Sequence, residues 1–291
     1  MTRPVNPPSA PHAGIPRAPT PIRQAQRPGQ QPGYGTNRSF ATGKAVTALM
    51  IREMATRYGR SPGGYVWALL EPMGVILIMA IGFSVMLRSP PIGNSFILFY
   101  ATGFLPFTLF QSLSKAIARS ISFSRALLMY PAVTWVDAML ARFVLNSLTG
   151  ILVTLVICAS LLAVTDTRVA LDGGPILTSF GMTCLLGLSI GVFNCAVDGL
   201  FPVWKQFWSI ISRPLVLLSG VIFMYEDLPA KVREILWYNP LVHITATMRD
   251  GFYPTYNPDY ISVTYCVLFS LIFLFFGIIL MARFHRDILN N

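Results

Sequence analysis

The sequence predicts an all-α polytopic membrane protein with six crossing helices. An amphipathic helix should lie on the inner interface before them, and short re-entrant helices should sit between the fifth and sixth crossings. Three observations lead there. Of 291 residues, 54% are apolar and only 12% charged, with a mean hydropathy of +0.58, beyond what an ordinary soluble domain carries. The apolar residues gather into runs of about 20, the length a helix needs to cross a roughly 30 Å hydrocarbon core. Basic residues cluster at alternate ends of those runs, as the positive-inside bias requires.

Residues 1–40 carry nine prolines within the first 35 positions and lack the apolar stretch and cleavage pattern of a signal peptide. That composition predicts a disordered cytoplasmic tail. The first 60 residues hold nine Arg or Lys against Glu53 alone. Such a balance favours anionic lipid headgroups at the inner surface, with nucleic acid the weaker alternative.

Residues 41–60 read as an amphipathic interface helix, with Val46, Met50 and Met54 at four-residue steps and Glu53 one turn from Arg57. The stretch REMATRYGRSPGGYVWALLEP, from Arg52 to Pro72, joins that helix through a glycine turn to the first crossing. Within the membrane domain, 61–291, crossings fall near 66–87, 96–113, 138–164, 176–197, 206–224 and 261–281.

Charge fixes the orientation. Lys115, Arg119 and Arg125 follow the second crossing, Lys205 the fourth, and Arg283 and Arg286 the sixth, so both termini belong in the cytoplasm. The outer segment 225–260 carries Glu226, Asp227, Glu234, Asp250 and Asp259 against Lys231, Arg233 and Arg249. It is too polar to cross and too apolar for a plain loop, and Pro240 divides it. Two short helices near 228–238 and 241–252 are expected, dipping into the outer leaflet or lying upon it.

Charges inside apolar runs are expensive and usually face a cavity or a partner. Glu71 beside Pro72 and Arg213 beside Pro214 qualify, and they can pair or line a path for a polar substrate. Tyr65, Trp67, Trp204 and Trp208 can stack on sugar faces or form an interfacial aromatic belt. Gly187 and Gly191 form a G-x-x-x-G, read as close packing within one subunit.

No catalytic residue is assigned. His12, His243 and His285 are far apart along the chain, and no H-E-x-x-H occurs. Cys158, Cys184, Cys195 and Cys266 lie in apolar runs without metal-ligand spacing and read as core residues. Gly43-Lys44 superficially ends like a phosphate-binding loop, but Ala45 stands where a hydroxyl is needed and Arg38 where the first glycine belongs. The chain is expected to hold no cofactor, and ATP-driven transport would need a separate nucleotide-binding subunit.

The pattern R-x-x-x-x-R-Y-G-R-S-x-x-G-Y-x-W-A-L-L-E-P at 52–72 resembles the permease subunits of type-two ABC exporters for capsular and other cell-surface polysaccharides. The likeness extends through most of 42–285, including the six-crossing layout, Asn239-Pro240-Leu241 and Arg249. It implies a permease of the bacterial inner membrane that dimerises and docks two ATPase subunits carrying ATP and Mg. Periplasmic export proteins are further partners, and the cargo is a lipid-linked polysaccharide.

By the same resemblance, the helix at 44–58 and the loop at 114–125 would touch the ATPase, through Arg52, Arg57, Lys115, Arg119 and Arg125. The alternatives are O-antigen, teichoic acid or a small lipophilic compound as cargo. A membrane-embedded enzyme acting on lipid-linked sugars is a reading of another class, and a passive channel a third.

Overall fold

The computed structural model describes residues 41–58, 64–128, 133–165 and 171–290, and every regular element among them is a helix. In chain order these are α1 (Ala41–Tyr58), α2 (Gly64–Met86), α3 (Phe96–Ala118), α4 (Ser120–Leu128), α5 (Trp135–Val164) and α6 (Gly173–Leu200). They continue as α7 (Trp204–Ser212), α8 (Leu215–Leu218), α9 (Ala230–Leu236), α10 (Pro240–Phe252) and α11 (Val263–Asn290). The proline-rich tail, Arg60 and the side chains of Arg57 and Tyr65 lie outside the described residues.

Helix starts follow from short polar side chains placed just before apolar runs. Ser95 caps α3 by accepting from the Leu98 amide at 3.4 Å. Thr134 and Asp137 form a reciprocal capping box at α5, and Asp172 caps α6 through the Gly174 amide. Each supplies an acceptor to an amide that has no partner within the helix.

Five helical stretches are long and apolar enough to cross a membrane: α2, α3 running on into α4, α5, α6 and α11. They coincide with five of the six expected crossings. The centre is α3 against α6, each more than half buried, whereas only 17% of the α2 window is covered. On the far side of α6 lies α11, while α5 and α2 cover α3. The helices α3 and α6 approach closely because Gly187 and Gly191 have no side chains. A Cβ added at either position would stand 2.7 Å from Leu113 or Ile117 of α3.

The expected single helix over 206–224 is not formed. It breaks after α7 at Arg213-Pro214, resumes for one turn as α8, and reverses at Gly220, whose φ of +68° only glycine adopts without strain. The reason is local: Pro214 lacks an amide to donate, and its ring obstructs the preceding turn. The broken segment still runs beside α3. The Ser212 carbonyl accepts from Gln111 at 3.3 Å, and the Val221 backbone passes Gly103, where an added Cβ would be 3.1 Å away. Those two α3 positions are roughly 12 Å apart along the helix.

The two short helices beyond it are unlike. In α10 every residue except Asp250 is buried, packed on both α3 and α6. In α9 only Leu236 is buried and Ile235 is 75% exposed. Cys158, Cys195 and Cys266 are buried, Cys184 is half-buried, and all four are free thiols.

Candidate functional site

A cavity of about 980 Å³ opens among α1, α2, α3, α4 and α5. It is closed at one end by the contact of the later turns of α2 with the first turns of α3. There Phe83 meets Tyr100 with ring centroids 5.3 Å apart, and Ile76 and Ala80 join the buried cluster of Leu98 and Phe99. Below that contact the walls are Ala68, Glu71, Pro72 and Val75 of α2 against Phe104, Leu105, Thr108 and Leu109 of α3.

The two ends differ in chemistry. The deep end is mostly apolar, with Val75, Phe104, Leu105, Leu109 and Val153; its threonines, Thr108 and Thr154, donate their hydroxyls to the Phe104 and Gly150 carbonyls of their own helices. The mouth carries Arg52, Lys115, Arg119 and Ser122, of which Lys115, Arg119 and Ser122 are exposed.

Arg142 and Glu53 brace one side of the mouth. Glu53 Oε2 lies 3.2 Å from Arg142 Nε, with both side chains more than nine-tenths buried. Arg142 also donates to the Ala116 carbonyl at 2.7 Å, and its guanidinium stacks 4.3 Å from the Phe123 ring centroid. One arginine thus ties α1, α3, α4 and α5 together. The pairing replaces the expected register of α1. Leu49, Glu53 and the half-buried Val46 and Met50 face α5, Met54 is 42% exposed, and Glu53 meets Arg142, while the expected pair of Glu53 with Arg57 lies outside the described residues.

A second buried arginine organises the opposite end. Arg249 of α10 is 2% exposed; it donates to the Val221 carbonyl at 3.0 Å and the Phe223 carbonyl at 3.4 Å, and lies 4.1 Å from the Phe99 ring centroid. Its neighbours on α10 complete the clamp. Asn239 caps α10 by accepting from the Leu241 amide and donates to the Leu218 carbonyl at 2.8 Å, while Thr245 donates to the Ser219 carbonyl at 2.8 Å. The carbonyls stranded by the break after α8 are therefore satisfied by α10 side chains, which is what permits irregular backbone among apolar helices.

Nearby, Tyr256 donates to Glu226 at 3.0 Å and contacts the Tyr260 hydroxyl at 3.1 Å. Burial pushes both phenols above their ordinary range, so they remain donors at neutral pH.

The sequence candidates separate. Glu71, Arg52, Lys115 and Arg119 meet in the cavity. Trp67 is 63% exposed and points elsewhere, and Arg125 is exposed on α4 outside the cavity. Arg213 is exposed at the α7–α8 break and does not pair with Glu71, which lies on the cavity wall. Trp204 donates to Asn194 at 2.9 Å and stacks on Trp208, anchoring α7 to the end of α6. Arg142 was missed although its signal was present: a charge one turn inside the apolar run at 138–164.

Residues 44–253, most of the chain and all of the cavity, match the ABC-2 type transporter family of membrane components. The chain belongs to the ABC-2 type transporter family. Among ABC-2 relatives, the polysialic acid transport protein KpsM of Escherichia coli is 30% identical over 237 residues, 81% of this chain and 91% of KpsM. The capsule polysaccharide export inner-membrane protein CtrC of Neisseria meningitidis serogroup B is 26% identical over 84% of this chain and 92% of its own. BexB of Haemophilus influenzae, described in the same words, is 24% identical over 88% and 98%. The ABC-2 match includes both arginine centres and ends at Tyr253, just past α10.

Proposed function

We propose that this ABC-2 chain is the permease subunit of an ATP-driven exporter that moves lipid-linked capsular polysaccharide across the bacterial inner membrane. The observation that carries this reading is its likeness, over nearly their whole lengths, to three proteins described as transporting polysialic acid or exporting capsule polysaccharide. The chain has no phosphate-binding loop of its own where Gly43-Lys44 hinted at one. ATP and Mg belong to a partner ATPase, present as two copies beneath a dimer of this chain.

In this reading the broken α7–α8 segment is the remaining crossing, which returns both termini to the cytoplasm, and α1 lies along the inner interface. The cavity mouth then faces the cytoplasm, with Arg52, Lys115 and Arg119 beside α4 and Arg125. These basic residues and Arg57 form the surface on which the ATPase acts. A rigid-body shift of the ATPase passes through α1 and α4 to α3 and α5, because Arg142 bonds to Glu53 and Ala116 and stacks on Phe123.

Trp204, Trp208 and Arg213 on the broken segment, with Tyr65 and Trp67 at the start of α2, are the residues proposed to meet the glycan along a path between two copies. The test is affinity purification of the tagged chain in mild detergent with an ATPase assay on the eluate. A stoichiometric ATP-binding-cassette subunit with vanadate-sensitive hydrolysis is expected. A chain that purifies alone and without hydrolysis would return the enzyme and channel readings to the front.

A further inference from the structure

We propose that the cavity within a single subunit is a binding site for one phosphate-bearing lipid, with the phosphate at Arg52, Lys115 and Arg119 and the hydrocarbon chain between α2, α3 and α5. This deepens the export reading, and it rests on that reading only for placing the mouth at the inner leaflet.

The charge distribution is the first argument. Arg142 is committed to Glu53 and to the Ala116 carbonyl. Among the described residues Arg52 has no carboxylate partner, and its Nη1 is buried without a hydrogen-bond acceptor although its guanidinium lies 5.5 Å from the Phe123 ring centroid. A buried guanidinium nitrogen left unpaired is costly, so Arg52 gains by turning toward an acceptor that enters the mouth. Among the described residues Lys115 meets only the neutral Gln111 carbonyl oxygen, at 3.0 Å, and Arg119, at the C-cap of the same helix, is exposed one turn further on, within electrostatic reach of Asp198 of α6. Three cations converging on one mouth suit a phosphate ester, which offers several strong acceptors to a guanidinium fork.

Shape is the second argument. Lining residues run from Phe104 of α3 to its C-cap Arg119, roughly 22 Å along the helix, about one leaflet of a 30 Å core plus a headgroup. Polarity runs the same way: cations sit at the exposed mouth, and apolar side chains close the far end. Gly150 belongs to that wall and has Leu109 directly across from it. A free sugar phosphate would leave the apolar depth unfilled, and a fatty acid without a phosphate would offer the mouth a weaker anion. Glu71 on the α2 wall accepts from hydroxyl or ammonium groups, which glycerol, ethanolamine and sugars all carry.

The same chemistry comes from two sources, a membrane phospholipid or the lipid end of the exported glycan. Native mass spectrometry of the full-length chain, with any copurifying subunits, separates them. Protein from cells that make the glycan is compared with protein from cells that do not. A retained lipid of phospholipid mass in both assigns a membrane lipid; an adduct bearing sugar, present only in the first, assigns the cargo.

In the binding arm, delipidated protein is titrated with dioleoyl phosphatidylglycerol, dioleoylglycerol and inorganic phosphate. Only the phosphatidylglycerol is expected to be retained. Arg52→Gln with Arg119→Gln should weaken that retention about thirtyfold, at roughly 1 kcal/mol for each basic residue near a lipid phosphate. Lys115→Gln, at an exposed position that folding does not depend on, should weaken it severalfold by itself. Equal retention of the diacylglycerol, or retention unchanged in these variants at normal folded yield, overturns the site. Neither result depends on export, so the lipid site and the export reading can fail separately.

Discussion

Arg142 and Arg249 are both buried arginines among apolar helices, yet they are compensated in opposite ways. Arg142 is neutralised by the Glu53 carboxylate on α1 and stands beside an open cavity. Arg249 has no carboxylate within ion-pair distance among the described residues and is held by two backbone carbonyls and the face of Phe99 in a closed region. The first is a junction between elements that can shift together. The second satisfies the backbone carbonyls of the broken α7–α8 segment and the turn after it. The comparison predicts that Arg249 governs stability and Arg142 governs coupling.

The largest effect should follow Arg249→Ala, which strands the Val221 and Phe223 carbonyls and opens a void against Phe99. A loss of about 4 kcal/mol is expected, read as a fall in the thermal midpoint of the purified chain. Arg249→Lys should recover only part of it, since an ammonium does not fork to two carbonyls as a guanidinium does. Normal stability in the alanine variant would remove the distinction between the two ends.

Glu53→Gln should cost about 2 kcal/mol, because it removes the carboxylate from the largely buried Arg142 guanidinium but keeps one acceptor for it. Its sharper signature is functional: export per ATP hydrolysed should drop more than the folded yield does. Replacing both partners, Glu53→Leu with Arg142→Met, should restore stability without restoring coupling. If the double variant recovers both, the pair is only packing.

Smaller again is Asn239→Ala, which removes the α10 cap and the bond to the Leu218 carbonyl. About 1–2 kcal/mol is expected, with hydrogen exchange quickening at 218–224 and unchanged in α5. Charge reversal at Lys115, Arg119 and Arg125 should leave stability nearly untouched, because these side chains are exposed. It should lower the coupling ratio measured with the partner ATPase present.

The long helices were legible in the sequence because lipid exposure leaves a coarse signal: unbroken apolar length with basic ends. The break at 213–220 was not read, although Pro214 and Gly220 were visible, because apolar length alone does not report whether backbone carbonyls find partners. Those partners come from Asn239, Thr245 and Arg249, more than twenty residues away in sequence. Arg249 had been counted as a loop charge, and its role depends on a tertiary contact that no local pattern encodes.

The cavity was half legible. Glu71, Arg52, Lys115 and Arg119 were each singled out, for different reasons, and the fold brings them to one place. Arg142 was hidden by the apolar run around it, and the bond from Glu53 to it spans 89 residues, beyond any local pattern. Charges inside apolar runs were the informative residues, and the fold uses them as joints.

The central claim is tested most directly by reconstitution. The full-length chain and its copurifying ATPase are placed in phospholipid vesicles with lipid-linked capsular glycan, and glycan protected from an external glycosidase is measured with and without ATP. Protection that requires ATP and both subunits, and that Glu53→Gln lowers more than it lowers hydrolysis, is the predicted result. Hydrolysis with no ATP-dependent protection, in vesicles where the folded complex is intact, would contradict it.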